Sequence, residues 1–199
     1  MLEAGRWMMA TVAGPPLKTW TRREIDALDE AGLLAGTRFE LVEGEVFDKT
    51  GQNPPHATAI SRLVVILAGI FGLNRIRVQL PVEPAEEDAA HSLPEPDIAV
   101  TREPLDAYRN RHSGAGDLLM VCEVADTTYD YDVKRKGRLY ARAGFVEYIV
   151  LDLTERELLV FGAPRDGVYR EMRVLRPGDR FRPLESIESA IAVAGLFGE

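Results

Sequence analysis

The chain has 199 residues, of which 46% are hydrophobic and 28% charged, and this ordinary globular composition suits one domain. Its formal net charge of −8 weighs against broad electrostatic binding to nucleic acid, because such binding scales with the phosphates that Lys and Arg neutralise. A nucleic-acid substrate would need a local basic strip or a bound metal ion.

The sequence also bounds the compartment and the domain organisation. The single cysteine, Cys122, has no disulfide partner, and no export signal is recognisable. The longest apolar run, residues 63–71, is far shorter than the roughly 20 residues that span a bilayer. We therefore expect a cytoplasmic protein without a membrane segment. Residues 1–16 lack periodicity and predict a loosely ordered tail before a single domain at 17–199.

The first elements carry clear local signals. Thr21 and Glu24 have the spacing of a capping box, which predicts a short helix that ends at Gly32. Residues 39–47 alternate apolar and acidic side chains around a glycine, which predicts a strand or hairpin that carries Glu40.

A long amphipathic helix is predicted after the turn signal Asn53-Pro54-Pro55, with His56 at its start. Apolar side chains recur there at steps of three and four residues, as a core helix requires. They are Ile60, Leu63, Val64, Leu67, Ala68 and Phe71.

The central part of the chain predicts strands separated by an irregular segment. Residues 75–82 alternate as a strand, residues 83–93 form an acidic loop that we expect to be mobile, and residues 96–100 resume strand character. Residues 117–124 are almost wholly apolar, which is typical of a central strand covered on both faces.

A second helix is predicted from Asp130 or Asp132, either of which would cap it, to Ala143, with Gly144 as the stop. Asp166-Gly167 marks a hairpin. Three further strands are predicted at 147–153, 157–161 and 168–175.

Two carboxylates occupy strand ends. Asp97 begins a short apolar run, where it reads either as a turn residue or as a ligand. Glu123 ends an apolar strand, and burying it costs several kcal/mol unless a cation, a metal ion or hydrogen-bond donors receive it. The pair therefore predicts either a divalent cation site or a structural salt bridge.

Helical phase separates the cations of the second helix. At 100° per residue, Lys136 falls on the apolar face, so its ammonium either snorkels along the helix edge or reaches the carboxylates. The opposite face is either a solvated surface or a strip that contacts phosphate, and it carries Lys134, Arg135, Arg138 and Arg142. The three histidines form no zinc pattern, and His56 is either a helix-start residue or a site residue.

Several short segments, in this order and spacing, resemble the Uma-two family of restriction-endonuclease-like nucleases within the PD-(D/E)xK superfamily. The similarity runs from about Thr21 to Phe197. The segments are 39–45, His56, 95–98, 118–124, 132–136 with Tyr140 and Gly144, and 147–152.

The resemblance implies an α+β fold with a restriction-endonuclease-like mixed β-sheet flanked by helices and extended by antiparallel strands. It implies that Asp97 and Glu123 bind Mg²⁺, with Mn²⁺ as an alternative, that Lys136 is the catalytic lysine and that Glu40 is a supporting acid. His56, Lys134 and Arg138 are then candidate contacts to the substrate.

Three departures from the family pattern are visible. The superfamily lysine stands two residues after the glutamate, where this chain has Ala125, so Lys136 must reach back from the helix. The turn after the glutamate is Asp126-Thr127-Thr128 rather than a Ser-Pro-Ser-Thr type, and Ile149 replaces a common tryptophan.

We therefore expect a magnesium-dependent endonuclease that acts on DNA as a monomer or homodimer. A non-catalytic nucleic-acid-binding or assembly module that retains the nuclease fold is the alternative. A metal phosphodiesterase that acts on RNA or a nucleotide is a third reading, since the hydrolytic parts would be shared.

Overall fold

The computed structural model of the protein describes residues 16–49 and 51–199. A six-stranded mixed sheet lies at its centre. The strand order is β3-β4-β5-β6-β7-β8, and β5 and β6 run parallel while all other neighbours run antiparallel. These strands are β3 Ile76–Val78, β4 Ile98–Thr101, β5 Leu118–Ala125, β6 Glu147–Asp152, β7 Glu157–Arg165 and β8 Val168–Leu175.

Two small antiparallel pairs lie outside the main sheet. A hairpin joins β1 Phe39–Val42 to β2 Glu45–Asp48, and near the end of the chain β9 Arg180–Phe181 pairs with β10 Ile191–Ala192. The expected mixed sheet with additional antiparallel strands is confirmed. The predicted tail falls almost wholly on residues 1–15, which lie outside the described residues.

Helices cover both faces of the sheet. They are α1 Arg22–Glu30, α2 Pro54–Phe71, α3 Gly137–Ala143 and α4 Val193–Leu196, with 3₁₀ turns at Leu73–Arg75, Leu105–Tyr108, Ala115–Asp117 and Leu184–Ser186. The Thr21 and Glu24 side chains form the predicted capping box at the start of α1. The Asn53 side chain caps α2.

The two core clusters follow the alternation of the strands. On one face, Leu63 and Leu67 of α2 pack against even-numbered residues of β4 and β5 such as Ile98 and Cys122. On the other face, Tyr140 of α3 packs with Tyr148, Val121 and their neighbours. All eight residues of β5 are buried, as predicted for a central strand.

Helix α2 is the one helix in the described part of the chain that is long and apolar enough, by length and composition alone, to cross a membrane. The core helix of a soluble protein passes the same test. Four of its side chains, Ala59, Ile60, Leu63 and Leu67, are buried in the core cluster. This packing favours the role of a core helix that was predicted from its periodicity.

The second predicted helix differs in two respects. Residues Tyr131–Lys136 form a π-helical turn that leads into α3, so the regular spacing used for the helical phase does not hold there. The capping role predicted for Asp130 or Asp132 is wrong: the Asp130 side chain makes no capping bond, and the Asp132 carboxylate accepts a hydrogen bond from the Thr128 hydroxyl.

Candidate active site

Asp97 and Glu123 meet where β4 begins and β5 approaches its end. Because Ile98 pairs with Cys122 in the antiparallel ladder, Asp97 lies next to Glu123 across the strands. The Asp97 backbone N–H donates to Glu123 Oε2 at 3.3 Å, and the Val124 N–H donates to Asp97 Oδ2 at 2.9 Å. The sheet register therefore holds both carboxylates side by side.

Lys136 reaches these carboxylates from the π-helical turn. Its side chain is 1% exposed, and Nζ lies 2.6 Å from Glu123 Oε1 and 3.0 Å from Glu40 Oε2. The predicted inward orientation of Lys136 is correct, although the turn that delivers it is wider than an α-helix. The ammonium lies beside Glu123 even though Ala125 occupies the usual lysine position.

Glu40 enters the site from hairpin strand β1. Its carboxylate accepts hydrogen bonds from the Tyr131 hydroxyl at 3.0 Å and from the Glu95 N–H at 3.0 Å, in addition to its ion pair with Lys136. Burial opposes ionisation of Glu40, but the charges of Lys136 and Lys49 outweigh it and lower the pKa of that carboxyl. Glu40 is thus a charged anchor for Lys136.

His56 contacts Asp97 from the first turn of α2. Its Nε2 lies 3.2 Å from Asp97 Oδ2, and the hydrogen bond to Asp97 raises the pKa of the imidazole. Gln79 donates to Asp97 Oδ1 at 3.4 Å. Burial raises the pKa of Asp97, but His56 and Lys49 more than offset it and hold that pKa at about 2. Asp97 is therefore ionised at neutral pH.

Glu40, His56, Asp97, Glu123 and Lys136 line one cavity of about 360 Å³. Four carboxylates in its lining are at most 4% exposed: Glu40, Asp97, Glu123 and Asp132. Lys136 is the buried cation among them, while Lys49 and His56 are partly buried. Negative charge therefore exceeds positive charge in the described lining near these acids.

Two acids of the cavity hold a proton more tightly than they would in water. Burial raises the pKa of Glu123 despite the neighbouring Lys136 ammonium, and it raises the pKa of Asp132 to about 6. Burial opposes the charge of Lys136, but Glu123 and Glu40 outweigh it and raise the pKa of that ammonium well above its ordinary value. A further cation in the cavity would stabilise the ionised carboxylates.

Lys49 is a site residue that the sequence analysis missed. It follows strand β2, its Nζ donates to the Glu95 carbonyl at 2.6 Å and it lies 3.9 Å from Glu40 Oε1. The preceding strand β2 is mostly exposed, so its pattern does not mark Lys49 as inward-facing. Tyr140, whose hydroxyl donates to Glu123 Oε1 at 2.8 Å, was likewise not assigned to the site.

Lys134 and Arg138 do not reach the carboxylate cavity. They line a separate shallow depression, and Lys134 forms an exposed ion pair with Asp130 at 2.7 Å. Two other cations of the same predicted strip are occupied, since Arg135 pairs with Glu43 and Glu45 and Arg142 pairs with Asp88 and Glu43. Contact of Lys134 and Arg138 with substrate stays a prediction.

The donor set suits a hard divalent cation but does not form a complete cage. Across the ranges 16–49 and 51–199, no group of three or more His, Cys, Asp or Glu side chains is arranged to hold a metal ion. Asp97 and Glu123 nevertheless place two buried carboxylates side by side on the cavity wall. Mg²⁺ is commonly bound by one or two carboxylates, with water and substrate phosphate as its other ligands. The residues therefore fit such an ion.

Comparison with known proteins finds a family model and a solved structure that this chain resembles. A family model named Uma2, described as "Putative restriction endonuclease", matches residues 24–194. Among solved structures, a protein from Anabaena variabilis, described as a putative nuclease belonging to DUF820, is similar with a TM-score of 0.66. The identity is 18%, and the similarity covers 85% of this chain and 96% of that one. No curated protein matches the sequence.

The family match spans most of the chain and includes every candidate site residue from Glu40 to Lys136. At 18% identity, the solved structure supports the fold alone. The mixed sheet, its helices and the extent of the family match agree, and the chain belongs to the Uma2 family of restriction-endonuclease-like proteins.

Proposed function

We propose that the chain is a metal-dependent endonuclease that hydrolyses phosphodiester bonds in DNA. The observation that carries the proposal is the meeting of Asp97, Glu123 and the buried Lys136 ammonium in one cavity. Family membership supports a nuclease, and the two adjacent carboxylates support a site for Mg²⁺, with Mn²⁺ as an alternative.

The site residues have separate roles in the proposed phosphodiester hydrolysis. A bound Mg²⁺ would supply a Lewis acid that polarises the phosphate and activates water. Lys136, held by Glu40 and Glu123, places a fixed positive charge where negative charge develops on the phosphate oxygens. Asp97, kept ionised by His56 and Lys49, supplies a permanently anionic ligand. Water adds to phosphorus, and the bond from phosphorus to the leaving oxygen breaks.

A cleavage assay tests this proposal. Supercoiled plasmid, single-stranded DNA and RNA are each incubated with purified protein and Mg²⁺ or Mn²⁺. We expect Asp97→Asn to lower the rate of DNA cleavage by roughly 1000-fold, because a metal ligand is lost. Glu171→Gln, which removes an exposed acid on edge strand β8, is the matched control and keeps the wild-type rate. Equal cleavage by wild type and Asp97→Asn would refute the assignment.

One observation favours a second candidate, a non-catalytic binding module that retains the nuclease fold. Lys136 already pairs with Glu123 at 2.6 Å, so it could act as a permanent structural counter-ion. In that case the protein binds nucleic acid equally well with chelator or with Mg²⁺ and cleaves none of the three substrates. Metal-dependent cleavage that Asp97→Asn abolishes excludes this candidate.

A further inference from the structure

A second cavity, outside the carboxylate site, is lined by three arginines together with Glu83, Tyr108, Asn110 and His112. It is an open depression of about 620 Å³ formed by strand β3 and the loop between β4 and β5. Its main lining residues are Arg77, Tyr108, Arg109, Arg111 and His112, and we call it the Arg77 depression.

Arg77 is the unusual member of this group. It is 8% exposed, and its Nε is sealed from solvent without a hydrogen-bond partner. None of the carboxylates in the described residues pairs with it, and its guanidinium instead lies 5.8 Å from the centre of the Tyr108 ring. Burial accordingly lowers the pKa of Arg77. A buried cation without an anion is costly, so this position suits an anionic ligand.

The acids near the depression are already engaged. Glu83 pairs with Arg22 at 2.7 Å, and Asp117 pairs with Arg111 through two hydrogen bonds. Arg111 also lies 5.1 Å from the Tyr108 ring, so the ring contacts two guanidinium groups. The aromatic ring therefore positions the cations while leaving the charge of Arg77 uncompensated.

The Arg77 depression shares a face of the sheet with the carboxylate site. Arg77 pairs with Ala99, which lies two residues after Asp97 and so presents its side chain to the same face. Gln79, two residues after Arg77, donates to the Asp97 carboxylate at 3.4 Å. Strand geometry places the Arg77 and Asp97 Cα atoms about 8 Å apart. A polymeric substrate can span this distance.

We propose that the Arg77 depression binds a backbone phosphate of the nucleic acid whose scissile bond lies in the carboxylate cavity. A guanidinium matches the oxygens of a phosphate with two parallel N–H donors, and this pairing would supply the anion that buried Arg77 lacks. Arg77 also supplies the local positive charge that the net charge of −8 makes necessary, since Arg109 pairs with Asp106 and Arg111 with Asp117. This inference rests on the proposed function. It places the continuation of the substrate strand at the Arg77 depression.

Fluorescence anisotropy tests the subsite separately from cleavage. Short fluorescein-labelled DNA, single-stranded and duplex, is titrated with wild type, Arg77→Gln and Arg111→Gln in EDTA, so that no metal-dependent cleavage occurs. Arg165→Gln is the matched control, because it removes one exposed cation at the end of β7, in the hairpin that leads to edge strand β8, across the sheet from β3. Circular dichroism melting checks that each variant is folded.

We expect Arg77→Gln to weaken binding about 10-fold at low salt and to reduce the salt slope of log K by about one, while Arg165→Gln matches wild type. Arg111→Gln, at an exposed position already paired with Asp117, weakens binding by less and does not alter a buried side chain. Inorganic phosphate competes in wild type. Equal affinity and salt slope in wild type, Arg77→Gln and Arg111→Gln, or phosphate binding without DNA binding, would overturn the subsite. Arg77-dependent binding in a protein that cleaves nothing would refute the nuclease proposal and leave the subsite standing.

Discussion

Glu123 and Glu147 are buried carboxylates on neighbouring parallel strands, and they differ in what surrounds them. Glu123 is 2% exposed, lines the cavity and meets Asp97, Lys136 and Tyr140. Glu147 is 1% exposed and accepts hydrogen bonds from the Leu184 N–H at 3.1 and 3.3 Å. Burial raises the pKa of both. A perturbed carboxylate therefore marks a candidate site only where a second acid and a cavity accompany it.

The largest expected loss of stability follows from removing the Lys136 ammonium that pairs with Glu123. Lys136→Met leaves the Glu40 and Glu123 carboxylates buried without their counter-ion, so we expect the free energy of unfolding to fall by about 3–5 kcal/mol. Urea denaturation followed by circular dichroism measures this loss. DNA cleavage should disappear in the same variant.

Lys134→Met is the matched control for stability, because Lys134 lies two residues away in an exposed ion pair with Asp130. Such surface pairs contribute little, typically about 0–1 kcal/mol. Equal losses in the two variants would mean that the buried ammonium does not hold the site together.

The raised pKa of Glu147 predicts how the free energy of unfolding depends on pH. Burial raises the pKa of folded Glu147 from 4.5 to about 7, so the folded state holds the proton more tightly than the unfolded state. This stabilisation is complete below pH 4.5 and is lost as pH rises to about 7, a fall of about 3 kcal/mol in the free energy of unfolding.

Glu147→Gln keeps an acceptor for the Leu184 N–H and removes the titration, so its stability should fall less than that of wild type over this pH range. Denaturant unfolding at several pH values provides the measurement. DNA cleavage by the variant should match wild type. Parallel pH profiles for the two proteins would show that Glu147 is not the titrating group.

The smallest effect is expected at Tyr140. Tyr140→Phe removes the hydroxyl that donates to Glu123 Oε1 at 2.8 Å but leaves Lys136 in place, so the free energy of unfolding should fall by about 2 kcal/mol. Thermal denaturation measures this change. Tyr169→Phe, which removes a hydroxyl bonded to the Phe145 carbonyl away from Glu123, is a matched comparison whose cleavage rate should not change.

Local pattern accounts for much of the fold. The Thr21 capping box, the apolar spacing of α2, the continuous apolar strand β5 and the Asp166-Gly167 hairpin all appear as predicted. Each of these signals depends on neighbours within a few residues. Residues 75–82 were predicted as one strand, but strand β3 covers only Ile76–Val78, and Gln79 has a positive φ of 51° where the ladder ends.

The site required contacts that no local pattern encodes. Lys136 faces the sheet as predicted. The prediction assumed α-helical spacing, whereas Tyr131–Lys136 form a π-helical turn. Lys49 follows the mostly exposed strand β2 and Arg77 lies on edge strand β3, and tertiary packing rather than a local pattern brings each of them to its cavity. The placement of Asp97 beside Glu123 depends on the register between β4 and β5.

Calorimetric titration with Mg²⁺ and Mn²⁺ of wild type, Glu123→Gln and Glu147→Gln tests most directly whether the Asp97 and Glu123 pair binds metal. The two substitutions neutralise carboxylates of similar burial on adjacent strands. We expect Glu147→Gln to bind metal as wild type does and Glu123→Gln to bind it at least about 10-fold more weakly. Equal affinity of all three proteins for the metal, or no metal binding by wild type, would contradict this expectation.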